Sequence, residues 1–172
     1  FKIDPANLMN DIGIWTDISH NLSDISVFDL LTVSTDQTIA ATQNGVYQFN
    51  GNDAWELWDT FPARLLFGTP GGEFIHVAGA LDIMELTGDM GATFYSADKG
   101  LQNRFVGALN TIKVFDWTVI LAGTDKGVEL TSEFFSFEGE LPWLLTREFS
   151  GAVFDIVSHP SMTEVLYVGA ER

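Results

Sequence analysis

One hairpin recurs along this chain and limits what the chain can fold into. At residues 37–49 (QTIAATQNGVYQF) an apolar run reaches a small-residue patch, Ala40-Ala41-Thr42. It then turns at Asn44-Gly45 and returns as Val46-Tyr47-Gln48-Phe49. Residues 78–87 and 122–131 repeat the pattern and share Glu-Leu-Thr in register; residues 167–172 carry the first half of a fourth copy. Aligned this way, Ala41, Gly79, Gly123 and Gly169 occupy one position, at spacings of 38, 44 and 46 residues. A period of about 40–50 residues belongs to helical repeats or to sheet-based blades.

Local patterning selects sheets. Residues 25–34 are rich in β-branched and aromatic side chains, and shorter runs at 38–42, 46–49 and 55–58 follow. Asn-Gly is the strongest short-range hairpin signal, because a type I′ turn needs positive φ at both central positions. Four antiparallel strands in about 40 residues make one β-propeller blade. The expectation is therefore all-β, with blades at 25–60, 63–104 and 109–149. The outer strand of a preceding blade lies within 1–24, and the first strands of a further blade within 152–172. Two arrangements stay open, a four-bladed ring sealed by the termini and an arc of a larger propeller. Helix is expected only as one turn at 5–10, capped by Asp4. Ala41 and its glycine equivalents are expected where blades crowd near the central channel. Trp15, Trp55 and Trp143, with Phe94 roughly equivalent, open the fourth strands and are expected to fill the wedge between blades.

Charge is the strongest compositional bias. Asp and Glu number 24 against 8 Lys and Arg, for a formal net charge of −16. Such a surface repels a phosphate backbone, so nucleic acid is not an expected partner. With no cysteine, disulfides and thiolate metal sites are excluded. No window reaches the roughly 18–20 apolar residues of a transmembrane segment. The start, Phe1-Lys2-Ile3-Asp4-Pro5, has no initiator Met, basic region or apolar leader, which reads as a chain processed, excised from something longer or only partly known. His20, His76 and His159 show no metal spacing. Gly68-Thr69-Pro70-Gly71-Gly72 lacks the Lys and Ser/Thr of a phosphate loop. Glu85 and Glu129 fall at equivalent third-strand positions and read as a repeated surface charge. Calcium is the one cofactor with any support, from oxygen ligands at Asn50, Asn52 and Asp53 with Asp36 or Asp98, although no EF-hand spacing is present. The expectation is no cofactor.

Leu121-Ala122-Gly123-Thr124-Asp125-Lys126-Gly127-Val128 and Ala41-Thr42-Gln43-Asn44-Gly45-Val46-Tyr47 resemble the repeats of BNR or Asp-box-like propellers. That group includes sialidases, sortilin-type receptors, xyloglucanase-type glycosidases and photosystem assembly factors. Residues 136–143 keep the Ser-to-Trp spacing of an Asp-box, with Glu138 for Asp and Glu140 for Gly. Ser96-Ala97-Asp98-Lys99-Gly100 fits the S-x-D-x-G core outright, yet the repeat register puts it after a fourth strand. An Asp-box belongs in the turn before that strand. The resemblance covers about 150 residues in architecture and implies a propeller rather than an activity. Sialidase-like catalysis needs an arginine cluster and a Tyr/Glu pair. Arg64, Arg104, Arg147 and Arg172 are scattered, and Tyr47, Tyr95 and Tyr167 lie in strand patterns. The functional expectation is a non-enzymatic binding or scaffold module of a larger secreted, cell-surface or virion assembly. Its partners are protein or glycan, further blades of a longer parent, or a second copy, and its partner-facing loops hold Asp89, Met90, Asp98, Lys99 and Gln102. A glycan-processing propeller and an assembly factor for a membrane complex are the alternatives.

Overall fold

The computed structural model describes residues 2–3, 15–22, 25–34, 37–49, 51, 54–69, 74–79, 84–98, 100–101, 105–114, 117–132, 143–162 and 165–171. Three four-stranded antiparallel sheets follow one another along the chain. The first is β3 (Val27–Ser34), β4 (Gln37–Thr42), β5 (Gly45–Phe49) and β6 (Trp55–Asp59). The second is β7 (Ala63–Gly68), β8 (Ile75–Gly79), β9 (Met84–Thr87) and β10 (Tyr95–Ser96). The third is β11 (Val106–Val114), β12 (Trp117–Thr124), β13 (Gly127–Ser132) and β14 (Leu144–Glu148). Two-stranded sheets flank them, β1 (Lys2–Ile3) with β2 (Trp15–Thr16), and β15 (Val153–Ser158) with β16 (Leu166–Ala170).

Within each sheet every strand pairs with the next in sequence, and β3, β7, β11 and β15 lie side by side. Sheets that fan out from a row of first strands are propeller blades. β11 begins at Val106, ahead of the boundary expected at 109, because Val106 already pairs with Thr124. Residues 5–10 lie outside the described residues, whose one helical element is a 3-10 turn at His20–Leu22. No helix among the described residues is long and apolar enough to cross a membrane.

The core is a series of layers between blades. Ile39, Ala41 and Val46 of the first blade meet Ala63, Leu66, Ile75 and Val77 of the second. Ala78 of the second joins Leu109, Ile120, Ala122 and Trp143 of the third. Ala108, Leu121 and Val128 of the third cover Val153 and Ile156 of the last pair. Polar groups of the first strands cross the same seams. Asp29 accepts a bond from the Leu66 amide at 2.8 Å, and Asn110 Nδ2 donates to the Ile156 carbonyl at 2.6 Å.

Strand pairing revises the repeat register. Each first strand carries a bulge near its start, between Val27 and Asp29, Ala63 and Leu65, Val106 and Ala108, and Val153 and Asp155. A bulge bends the strand and sharpens its twist. The residue paired just after the bulge is Ala41, Ala78, Gly123 or Gly169. Ala78 therefore shares the register of the other three, and Gly79 lies one place beyond it. At two of these positions neighbouring segments leave no room for a larger side chain. A Cβ on Gly123 would stand 2.5 Å from Val153 Cγ1, and one on Gly79 would stand 2.5 Å from the Phe61 ring. Gly169 is exposed, and a Cβ there meets nothing closer than 3.6 Å.

The hairpin turns also differ from the expectation. Thr42 pairs with Gly45, so the turn residues are Gln43 and Asn44, and of the pair Asn44-Gly45 only the glycine has positive φ. Gly45 (φ 141°) and Gly127 (φ 150°) are required by close approach, since a Cβ would lie 2.1 Å from the Asp59 carbonyl oxygen and 1.9 Å from that of Arg147. The fourth strand occupies the space a side chain would need. Fully buried Thr42 and Thr124 close the two turns from inside, each hydroxyl donating to the carbonyl of the glycine that opens the returning strand.

Gly123→Ala is expected to cost about 1–3 kcal/mol, as added atoms do in a packed seam. Gly169→Ala, in the same register, is expected to stay within about 0.5 kcal/mol of the parent. Urea unfolding of both variants checks the pair; equal effects would contradict this assignment of the seam.

Candidate functional site

The tryptophans are clasps between blades. Trp55 opens β6 and is 6% exposed; its indole Nε1 donates to the Ile18 carbonyl at 2.8 Å. Trp143 immediately precedes β14 and is 3% exposed; its Nε1 donates to the Ala97 carbonyl at 2.7 Å. Ile18 follows β2 and Ala97 follows β10, so each bond joins the start of one fourth strand to the segment after another. A buried indole needs such an acceptor. The carbonyls are held by short polar turns. Ser19 donates through both its amide and its hydroxyl to Asp17, and Ser96 donates its hydroxyl to Asp98. The Ser96–Asp98 motif therefore begins on the last residue of the fourth strand, not in the turn before it, and flanks the clasp acceptor. Trp15 opens β2, with its side chain outside the described residues. Phe94 packs on Trp58 with ring centroids 6.5 Å apart and has no N–H to donate.

The turn between β9 and β10 is the most heavily bonded loop among the described residues. Its sequence is Thr87-Gly88-Asp89-Met90-Gly91-Ala92-Thr93-Phe94. Buried Thr87 donates its hydroxyl to Asp89 at 2.9 Å and accepts from the Gly91 amide at 2.9 Å. The Asp89 carboxylate accepts from the Thr93 amide at 2.8 Å and from the Thr93 hydroxyl. Those bonds hold the Asp89 carboxyl below its usual value, the Thr93 bonds foremost. Met90 sits above this cage at φ 59°, 37% exposed. The left-handed region is uncommon for any residue with a Cβ and costs it roughly 1–2 kcal/mol. Sequence reading singled out Asp89 and Met90 as loop residues and set the Ser96 motif aside for its register, without finding the pattern around Asp89. The alternation of Thr87, Asp89, Gly91 and Thr93 was legible, with Thr standing for Ser and Phe94 for Trp.

The other candidates are dispersed. Lys99 and Gln102 lie outside the described residues, as do Asn50, Asn52, Asp53 and Asp36 of the calcium expectation, and Arg104 and Arg172. Asp98 is engaged by Ser96. Among the described residues, no group of three His, Asp or Glu stands ready to hold a metal ion. Arg64 lies over the Phe28 ring at 5.5 Å on a first strand, whereas Arg147 is on the fourth strand of another blade. Glu129 is not a surface charge; it is fully buried. Glu85 is half-buried, and its carboxyl is raised above the usual value by burial, with Asp59 and Asp98 adding to the shift. His20 stacks on Phe49, and His159 Nδ1 accepts from the amides of Ser161 and Met162.

His76 is the least satisfied group. It is fully buried on β8, and neither ring nitrogen has a hydrogen-bond partner. Burial lowers its pKa to about 4 from the ordinary 6.5.

No family model matches the chain, and no curated protein matches it. Solved structures do. YCF48 from Cyanidioschyzon merolae superposes with a TM-score of 0.53 at 15% identity, over 86% of this chain and 57% of that one. The N-terminal domain of Nup159 gives 0.47 at 9% identity, over 77% of this chain and 36% of that one. The S. cerevisiae complex of Dbp5 with Nup159, Gle1, IP6 and ADP gives 0.46 at 10% identity, over 83% and 44%. The likeness to YCF48 is one of fold. The chain spans between about a third and somewhat over half of the length of these proteins.

Two outcomes follow. Trp143→Phe keeps the ring but leaves the Ala97 carbonyl without its donor, and is expected to lower stability by about 1–3 kcal/mol. Denaturant titration checks it, and an unchanged midpoint would remove the clasp. His76 stays neutral in the fold while the unfolded chain protonates it near 6.5. Stability is thus intact above that pH and falls by about 3 kcal/mol as pH drops toward 4. Glu85, raised in the fold, acts in the opposite sense. The measurement is therefore the difference from His76→Leu, which should gain on the parent from pH 6.5 to 4; parallel pH profiles would rule this out.

Proposed function

We propose that this chain is a non-enzymatic protein-binding or scaffold module, and that the turn carrying Met90 is its contact point. The observation that carries the reading is the pairing of an unfavourable backbone with a rigid support. An exposed methionine at left-handed φ gains nothing for stability that glycine or asparagine would not supply. Yet a cage of threonine and aspartate bonds holds it outward. Sites that keep locally costly residues commonly do so for function, and methionine suits an adaptable apolar contact. Thr87–Phe94 also supports a kinship with Asp-box-like repeats, since it presents T-x-D-x-G-x-T-F before a fourth strand. The acidic, cysteine-free composition supports a place in a secreted, surface or virion assembly.

One observation favours the second reading, glycan processing. Glu85 is a carboxyl kept more protonated beside Asp59 and Asp98, and unequal carboxyls are how glycosidases assign acid and base.

Met90→Gly separates the two. It is expected to leave stability unchanged or raise it by about 0.5–1 kcal/mol, while weakening binding to a purified partner at least about tenfold. Candidate partners come from quantitative affinity enrichment with the parent and the variant side by side, followed by reconstitution. If both chains bind every enriched protein equally, the contact assignment fails. Turnover of aryl glycosides that disappears in Glu85→Gln would replace the binding reading with the enzymatic one.

A further inference from the structure

We propose that the seam between the second and third blades is an acid-operated joint: when His76 takes up a proton, this seam parts ahead of the rest of the fold and releases the Trp143 clasp. The joint is separate from the Met90 contact, whose turn packs on Trp58 of the first blade.

His76 lies inside this seam. Ile75 and Val77 on β8 face the first blade and Ala78 faces the third. The alternation of a strand therefore puts His76 on the side of Ala78. Its ring lies 6.5 Å from that of Phe67, which packs into the same layer. Across the seam, Thr131 pairs with Ile120 and Glu129 with Ala122, and both Ile120 and Ala122 belong to that layer. The Thr131 hydroxyl is buried without a hydrogen-bond partner, as are both nitrogens of His76. Besides Glu129, the titratable or charged side chains on the facing sides are Tyr95 of β10, Lys113 of β11 and Glu148 of β14. Lys113 is engaged by Thr118. Burial alone lowers the His76 pKa to about 4, so none of these charges is near enough to pair with an imidazolium. A proton is accommodated there only by letting water in.

Among the described residues this seam is also the one least tied by polar bonds. In the first blade Asp29 accepts from the Leu66 amide, and in the third Asn110 donates to the Ile156 carbonyl. Counted from the bulge, the second blade has Leu65 and Phe67 at those positions, and neither side chain can hydrogen-bond across. β7 and β11 also pack together less extensively than β3 with β7 or β11 with β15. The bond from Trp143 to the Ala97 carbonyl crosses the seam instead. Local opening begins where a fold is held by few such ties.

The test is deuterium exchange of the tryptophan indole N–H groups, followed by NMR and expressed as protection factors, which removes the intrinsic pH dependence of exchange. The His76 pKa is about 4 in the closed seam and 6.5 in an open one. Protection of the Trp143 Nε1–H should therefore fall about thirtyfold between about pH 8 and pH 5. The Trp55 clasp, on the first blade, should keep its protection within about threefold. His76→Leu should flatten the Trp143 profile. His76→Gln, which takes up no proton in this range, should do the same and serves if the leucine variant does not fold. An equal fall at Trp55 means that acid loosens the whole fold, and an undiminished fall in a folded His76 variant assigns the effect to another group. Either result, or a Trp143 protection that stays constant in the parent, overturns the proposal.

Discussion

Each blade of this protein depends on its neighbours, because its sheet is apolar on both faces. The second blade shows it: Leu66, Ile75 and Val77 pack toward the first blade while Ala78 packs toward the third. A sheet built this way has no stable isolated form, and burial at about 25 cal/mol per Å² accrues only when the next blade arrives. The seam therefore sets local sequence. Small residues sit where a segment from the next blade passes close, and Asp29 and Asn110 reach across to bond its backbone.

The polar side chains are used in the same spirit. The indole clasps, the threonine-closed turns and the Ser96–Asp98 pair all satisfy backbone groups at places where the pleat ends and the ladder cannot. Buried backbone groups need partners, and a meander of short strands makes many ends. The Met90 turn differs from the rest because its network surrounds an exposed side chain at left-handed φ. His76 differs in the other direction, a buried polar ring that the seam leaves unpaired and that makes the second blade sensitive to acid.

Much of the fold was legible. A two-residue alternation broken by turn residues, repeated at a near-constant period, is a direct consequence of strand geometry, and it identified the four-stranded units and the tryptophans at their fourth strands. The site was legible only in part. Asp89 and Met90 stood out as loop residues, but the bonding pattern around them did not. Thr87 performs the role in which Ser was sought, and a hydroxyl is read by its geometry rather than its name. Glu129 read as a surface charge because its equivalence to Glu85 is a matter of register, and register says nothing about which blade covers it.

By itself the sequence determined that strands of this length and pattern must form antiparallel units that stack, since hydrophobic periodicity and turn chemistry are local properties. Three matters were decided only by tertiary structure. Pairing across the second bulge put Ala78, not Gly79, in the shared register, because a bulge adds a residue to one strand without marking either. The approach of the fourth strand to within 2.1 Å of where a Gly45 side chain would start made that glycine a matter of space rather than of turn type. And the pairing of β1 with β2 and of β15 with β16 as separate sheets among the described residues was decided by contacts between strands, which no count of repeats contains.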